Sequence, residues 1–225
     1  MQLVLGLGNP GPRYALTRHN LGARCILAAA ARLGLGFAEP SPAYRAAVGA
    51  GPNGPVTLLI PLTFMNRSGD AVRAWAASTG LRVGAAPPRG APGLDAGAEA
   101  AAPPPDVVPV VVCDDLQLPL GSLRIRAQGS DGGHNGLAAV IDALGGDAVP
   151  RVRLGVGPLD RTVPPEEWAD FVLTEFAPAE IRAATELVDH AADALLCLLE
   201  HGPETAGARY NRRAPRDLDL PAGDR

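Results

Sequence analysis

Residues 2–8, QLVLGLG, form a short apolar run that ends among glycines, and the run reads as a buried strand entering a turn. An alanine-rich apolar pattern follows from Asn20 to Leu33 and stops at Gly34 and Gly36, which predicts a helix. This strand, loop and helix set the theme for the rest of the chain. Val56 to Ile60 (VTLLI) repeats the strand signal before Pro61, and Ser68 to Thr79 reads as a helix closed by Gly80. Val107 to Cys113 (VVPVVVC) reads as a central strand that delivers Asp114 and Asp115 at its carboxyl end. Leu123-Arg124-Ile125-Arg126 alternates apolar and basic residues, as a half-buried strand does. Gly136 to Leu144 reads as helix and Val152 to Val156 as strand. Ile181, Ala184, Leu187, Val188, Ala191, Leu195, Leu198 and Leu199 recur at helical spacing up to Gly202, which gives an amphipathic C-terminal helix with a core-facing stripe. The order is alternating α/β.

With 225 residues, 47% of them hydrophobic, the chain has material for one large domain, expected over residues 1–205. No run approaches the roughly 18 uncharged apolar residues of a membrane span. The N-terminus enters its first strand directly, so the expectation is a cytoplasmic protein with no membrane contact. Cys25, Cys113 and Cys197 stand far apart without a C-x-x-C pair and predict reduced, buried thiols rather than a disulfide framework or a metal site. A net charge of −4 excludes the global basic character of a non-specific nucleic-acid binder, so any such contact is local. All 20 basic residues are arginines, a feature to which no function is attached. Residues 84–106 are crowded with Pro, Gly and Ala and are expected to be a disordered insertion. Residues 206–225, with Arg209, Arg212, Arg213 and Arg216, are expected to be a solvated polar tail.

Gly6-Leu7-Gly8-Asn9-Pro10-Gly11 satisfies G-x-G-x-x-G directly after a strand, which raises a dinucleotide site. In such a site a helix starts within the motif and aims its N-terminus at the pyrophosphate. Here Pro12 and the polar stretch from Arg13 to Arg18 delay the helix, and the only acidic residue near the expected distance, Glu39, adjoins Pro40. The other reading is a rigid turn that aims Asn9, and then His19, into a cleft.

Five segments carry polar residues that a core would reject: Asn9, His19-Asn20, Asn66, Asp114 and His134-Asn135. Each has an ordinary local explanation. His19 and Asn66 are placed to cap helices, Asp114 can be a loop carboxylate, and His134 a turn residue. In an open α/β sheet, however, the carboxyl ends of strands form the ligand crevice, where such segments converge.

The stretches GLGNPGPRYALTRHNLG, TFMNRSG, DDLQLPLGSLRIR and GGHNGL, in this order between about Leu3 and Phe176, resemble the signature segments of the bacterial-type peptidyl-tRNA hydrolase family. The resemblance implies one α/β domain with a mixed, mostly parallel twisted sheet flanked by helices on both sides. It implies hydrolysis of the ester between a peptide and the 3′-terminal ribose of tRNA, with His19 as general base and Asp114 as its orienting carboxylate. Asn9, Tyr14, Asn66 and Asn135 would hold substrate, Met65 would line the cleft and His134 would stand at its rim. Arg124 and Arg126 match a basic pair that grips phosphate, with Arg153 as a further candidate; peptidyl-tRNA is the expected partner of a monomer that needs no cofactor and no metal. One departure is that RVRLGVG continues straight into Pro158-Leu159, without the basic residue usual there.

The residue types suit that chemistry. Histidine, with an ordinary pKa near 6.5, can deprotonate water near neutrality, and a carboxylate on its other ring nitrogen fixes the tautomer. The absence of a G-x-S-x-G elbow argues for direct attack by water. Asparagines offer donor and acceptor alike, so they grip a peptide main chain without reading its side chains. Two rival readings remain at this point, a dinucleotide-dependent enzyme and a catalytically silent tRNA-binding module.

Overall fold

The computed structural model describes residues 1–87, 105–158 and 162–211. Six strands form one mixed sheet: β1 (Gln2–Gly6), β2 (Tyr44–Gly51), β3 (Gly54–Pro61), β4 (Val110–Pro119), β5 (Leu123–Arg126) and β6 (Arg151–Gly157). Their spatial order is β2-β3-β1-β4-β6-β5, with β3, β1, β4 and β6 parallel and β2 and β5 antiparallel at the two edges. The helices are α1 (Leu21–Leu33), α2 (Ser68–Thr79), α3 (Asn135–Leu144), the short α4 (Trp168–Val172) and α5 (Ile181–Tyr210). One sheet face buries Val4, Leu58 and Val112 against α1 and α5, and the other buries Leu5, Leu59 and Val111 against α2 and α3. The helices therefore lie on both sides, as expected.

Because β1 is flanked by β3 and β4, the chain leaves it first towards one side and later returns on the other. That reversal opens a crevice at the carboxyl ends of the parallel strands. Asn9 follows β1, Met65 and Asn66 follow β3, and Asp114 lies on β4, so the topology itself gathers three of the five polar segments.

The gathering depends on how closely α1 crosses β1. Ala23 N–H donates to Leu7 O and Leu7 N–H to Val112 O, both at 2.9 Å, so the helix start, the end of β1 and β4 are tied at one point. Gly22 sits in this junction: a Cβ there would stand 2.3 Å from Val112 O and 2.7 Å from Leu7 N and O, which are backbone atoms with no room to yield.

Several boundaries differ from the expectations. β2 was not anticipated, because YRAAVGAG is built from small residues of poor strand propensity and pairs through β3 rather than through its own pattern. β4 does not end before Asp114 but runs through both aspartates to Pro119. At both ends of the segment expected to be a disordered insertion the backbone is hydrogen-bonded: Gly84, Ala85 and Ala86 donate to Val107 O, Leu144 O and Ala148 O, and Asp106 donates to Arg82 O. Its remainder, residues 88–104, lies outside the described residues. The C-terminal helix does not stop at Gly202 but bends there and continues, so residues 206–210 are helix rather than tail. Arg212, Arg213 and Arg216 lie outside the described residues.

Gly22→Ala is expected to cost about 1–3 kcal/mol through overpacking, read calorimetrically as a thermal midpoint lowered by about 2–4 °C per kcal/mol. An unchanged midpoint would show that the α1–β1 junction has slack the structure does not display.

Candidate active site

The loop after β1 is held shut by one side chain. Asn20 Oδ1 accepts the Asn9 backbone N–H at 2.8 Å and Asn20 Nδ2 donates to Asn9 O at 2.9 Å. The glycine-rich turn is thereby closed on the residue next to His19. No helix N-terminus serves it, since residues Pro12–Tyr14 and Arg18–Asn20 form 3-10 turns and α1 begins only at Leu21. Asn9 Oδ1 in turn accepts the Met65 N–H at 2.8 Å, which orients the carboxamide. Among the described residues its Nδ2 has no partner, so a donor faces the cleft.

His19 is buried in the second 3-10 turn without capping any helix. Its Nδ1 lies 2.9 and 3.0 Å from the two carboxylate oxygens of Asp114. An ionised carboxylate only accepts, so Nδ1 carries the proton and Nε2 keeps a lone pair. Asp114 also receives His134 Nε2 at 3.0 Å on Oδ1. That proton too is assigned by geometry: His134 Nδ1 accepts N–H bonds from Gly136 and Leu137, both at 3.1 Å, as the N-cap of α3. His134 is thus buried to the same degree as His19, with its ring turned onto the carboxylate, and it still lines the cleft. The imidazoles of His19 and His134 stand 4.7 Å apart between centroids.

This arrangement fixes the electrostatics. Burial, the largest influence on Asp114, pushes its pKa up, but the His19 and His134 charges and hydrogen bonds together hold it well below the usual carboxylate range. For His19 burial likewise dominates singly and pulls down, yet the Asp114 charge and hydrogen bond prevail and raise the pKa above 6.5. His19, Asp114 and His134 place their potential ligand atoms within 4.8 Å of one another. A cation there would need a lone pair on His134 Nε2, which instead spends its proton on Asp114, so the cluster suits a hydrogen-bond network better than a metal. Cys113 adjoins Asp114 in sequence but is buried in the opposite core, where burial pushes its thiol up to about 12 and denies it nucleophilic use.

A cleft of about 550 Å³ opens over these groups. Asn9, Tyr14, His19, Met65, Asn66, Asp114, His134, Asn135 and Arg153 all line it. Asn66 and Asn135 are exposed and Met65 is buried, and Asn66 does not cap α2. Arg153 reaches the wall while paired with Asp115 at 3.1 Å. Arg124 and Arg126 do not join the cleft. They are exposed on the edge strand β5, in register with Arg153 and Arg151 of β6. None of the ion pairs among the described residues engages either of them.

Sequence reasoning missed one wall of the cleft, made by Pro165, Trp168, Val172 and Leu173, and the lining residue Phe64. Phe64 stands edge-on to Tyr14 at 6.4 Å, and the two rings give the mouth an apolar lip. Arg18 was missed as well. Its buried guanidinium bonds Glu180 Oε2 at 2.6 Å and lies 4.6 Å from the Phe171 and Phe176 rings, which ties the His19 turn to that wall.

Known proteins resemble this one over its whole length. A family model described as peptidyl-tRNA hydrolase matches residues 3–85 and 98–217. A peptidyl-tRNA hydrolase of Synechococcus sp. (strain JA-2-3B'a(2-13)) is 38% identical over 226 residues, covering 100% of this chain and 88% of that protein. One from Chlorobium phaeobacteroides is 38% identical, covering 94% of this chain and 98% of its own. Among solved structures, peptidyl-tRNA hydrolase from Acinetobacter baumannii superimposes with a TM-score of 0.75 at 28% identity, covering 96% of both chains.

The raised pKa of His19 sets a pH dependence. Were His19 the base of a hydrolytic reaction it would have to be neutral, so the rate should then rise with pH through a value above 6.5, not below it. The same pair contributes stability in opposite windows: the His19 share is complete below 6.5 and is lost as pH rises through the raised value, whereas the Asp114 share is present above its ordinary 3.8 and is lost as pH falls through its depressed value. An NMR titration of the imidazole protons should find the His19 midpoint above 6.5 in the wild type and lower in Asp114→Asn; a midpoint unmoved by the substitution would disconnect the two residues.

Proposed function

The chain belongs to the peptidyl-tRNA hydrolase family, and from that premise and the geometry of the cleft we propose that it hydrolyses the ester joining a peptide to the 3′-terminal ribose of tRNA. The observation that carries the proposal is the His19–Asp114 pair, with Nε2 of His19 free to face a cleft whose walls present three asparagines. His19 Nε2 takes a proton from water as the oxygen attacks the acyl carbonyl. Asp114 stabilises the imidazolium that results, and the ribose oxygen leaves with a proton returned from the ring.

The developing oxyanion needs a donor that is already aimed. Asn9 meets that need better than Asn66, because its oxygen is occupied by the Met65 N–H and only Nδ2 remains. Asn66 and Asn135, exposed at the mouth, suit main-chain groups of the peptide, and the Tyr14–Phe64 lip suits its side chains without selecting among them. His134 acts through Asp114 in this scheme, holding the carboxylate ionised and turned towards His19.

Arg124 and Arg126 are assigned to tRNA phosphate. Two exposed guanidiniums two residues apart on one strand face, with no carboxylate committed to them among the described residues, are a local cationic element on an otherwise acidic chain. Arg153 is placed between the two functions, since it lines the cleft and is half committed to Asp115. No described helix is long and apolar enough to cross a membrane. The proposed place of action is the cytoplasm, where peptidyl-tRNA is formed. A dinucleotide enzyme is disfavoured by the closed glycine turn, and a silent binding module by the assembled His19–Asp114 pair.

Release of peptide from a defined N-acetyl-aminoacyl-tRNA tests the proposal. His19→Ala and Asp114→Asn are each expected to lower kcat on the order of 10²–10⁴-fold, and full activity in His19→Ala would sink the mechanism. Arg124→Ala combined with Arg126→Ala should raise KM and flatten the salt dependence by about 0.7–0.9 logarithmic slope for each phosphate the variant no longer neutralises. An unaltered slope would remove the pair from phosphate binding.

A further inference from the structure

The end of the C-terminal helix makes a contact that ester cleavage does not use. α5 is broken at Gly202, whose φ of 79° lies in the left-handed region, with Pro203 next in the chain. The carbonyls released at the break are taken up elsewhere: Gln2 Nε2 donates to Leu199 O at 2.7 Å and Asn53 Nδ2 to Glu200 O at 2.6 Å. Past the break, Ala206 is fully buried and the last turns reach strand β5. There Asn211 Oδ1 accepts the Ile125 N–H at 2.6 Å, and Asn211 Nδ2 donates to Ile125 O at 3.4 Å. A Cβ at Gly207 would stand 3.2 Å from Asn211 Nδ2, so a side chain at that position would crowd the approach.

β5 is the edge of the sheet and only four residues long. In an antiparallel ladder alternate residues turn their N–H and C=O away from the partner strand, where an edge leaves them unpaired. Ile125 is the residue turned outward, and the Asn211 carboxamide answers both of its groups, standing in for one residue of a further strand. Arg124 and Arg126 flank Ile125, both exposed, while Ile125 itself is buried. The bond therefore falls at the midpoint of the arginine pair. A short strand held from one side only frays readily, whereas pinning it from both sides fixes where its two guanidiniums stand.

We infer that Asn211 is a positioning residue for nucleic-acid phosphate: by completing the edge of β5 it holds Arg124 and Arg126 in the arrangement that grips the tRNA backbone. The inference rests on the reading of these two arginines as phosphate contacts. It makes the C-terminal helix, remote in sequence from the cleft residues, a part of tRNA recognition.

The test is steady-state cleavage of N-acetyl-aminoacyl-tRNA over a range of salt concentrations. Asn211→Ala is expected to raise KM about two- to tenfold, the equilibrium worth of one or two neutral hydrogen bonds, to leave kcat within about twofold and to flatten the salt slope. Asn211→Asp, which keeps the acceptor, loses the donor and adds a negative charge, should raise KM further, and it serves should the alanine variant fail to fold. On a background of Arg124→Ala with Arg126→Ala, Asn211→Ala should add no more than about 1.5-fold, as coupled residues require. KM and salt slope equal to wild type in both Asn211 variants would overturn the inference, as would the same increment on the arginine-free background. A wild-type protein that releases no peptide would instead refute the functional reading beneath it.

Discussion

A carboxylate at the centre of a sheet is the constraint on which the site depends. Asp114 is 2% exposed on the middle strand β4, and an ion so placed costs several kcal/mol unless its oxygens are bonded. Two imidazoles meet that need, one from the turn before α1 and one from the cap of α3. Neither can turn away cheaply. His134 would surrender two backbone bonds at the start of its helix, and His19 is held in a 3-10 turn between two anchored neighbours. What stabilises the buried charge is also what fixes the tautomer and aims the lone pair, so the fold and the proposed role of His19 as base rest on the same bonds.

The tripeptide Arg18-His19-Asn20 shows how closely these roles are packed. Arg18 ties the turn to the Phe171–Phe176 wall and to Glu180, Asn20 closes the glycine loop on Asn9, and His19 between them is left to face the carboxylate. Asn9 is then fixed from two sides, by Asn20 on its backbone and by Met65 on its side chain. A site preorganised in this way needs no reorganisation as charge develops, which is where such dipoles contribute most. The crossing of α1 over β1 at Gly22 brings the whole assembly to the switch point of the sheet.

Much of this was legible in the sequence, for physical reasons. Continuous apolar runs such as VTLLI and the stripe from Ile181 onward declare buried strands and an amphipathic helix, and polar residues placed where a strand ends declare a crevice. Local pattern could not show partners far away in the chain. Arg18 and Asn211 read as ordinary polar residues until Glu180 and Ile125 are brought beside them. His134 on local pattern alone read as a turn residue, and only the extended backbone at that residue (φ −86°, ψ 106°) turns its ring inward to cap α3. The wall at Trp168 escaped notice because a helix of five residues is too short to show a period. β2 escaped because alanine and glycine carry no strand signal of their own.

The central claim is that water, with His19 as its base, attacks the acyl carbonyl directly. Single-turnover cleavage of an N-blocked aminoacyl-tRNA in ¹⁸O-labelled water, with the quenched protein and both products weighed by mass spectrometry, addresses it without recourse to a variant. The account predicts one labelled oxygen in the released carboxylate, an unlabelled ribose and a protein mass that never carries the acyl group. A transient acylated protein, or label on the ribose, would contradict it.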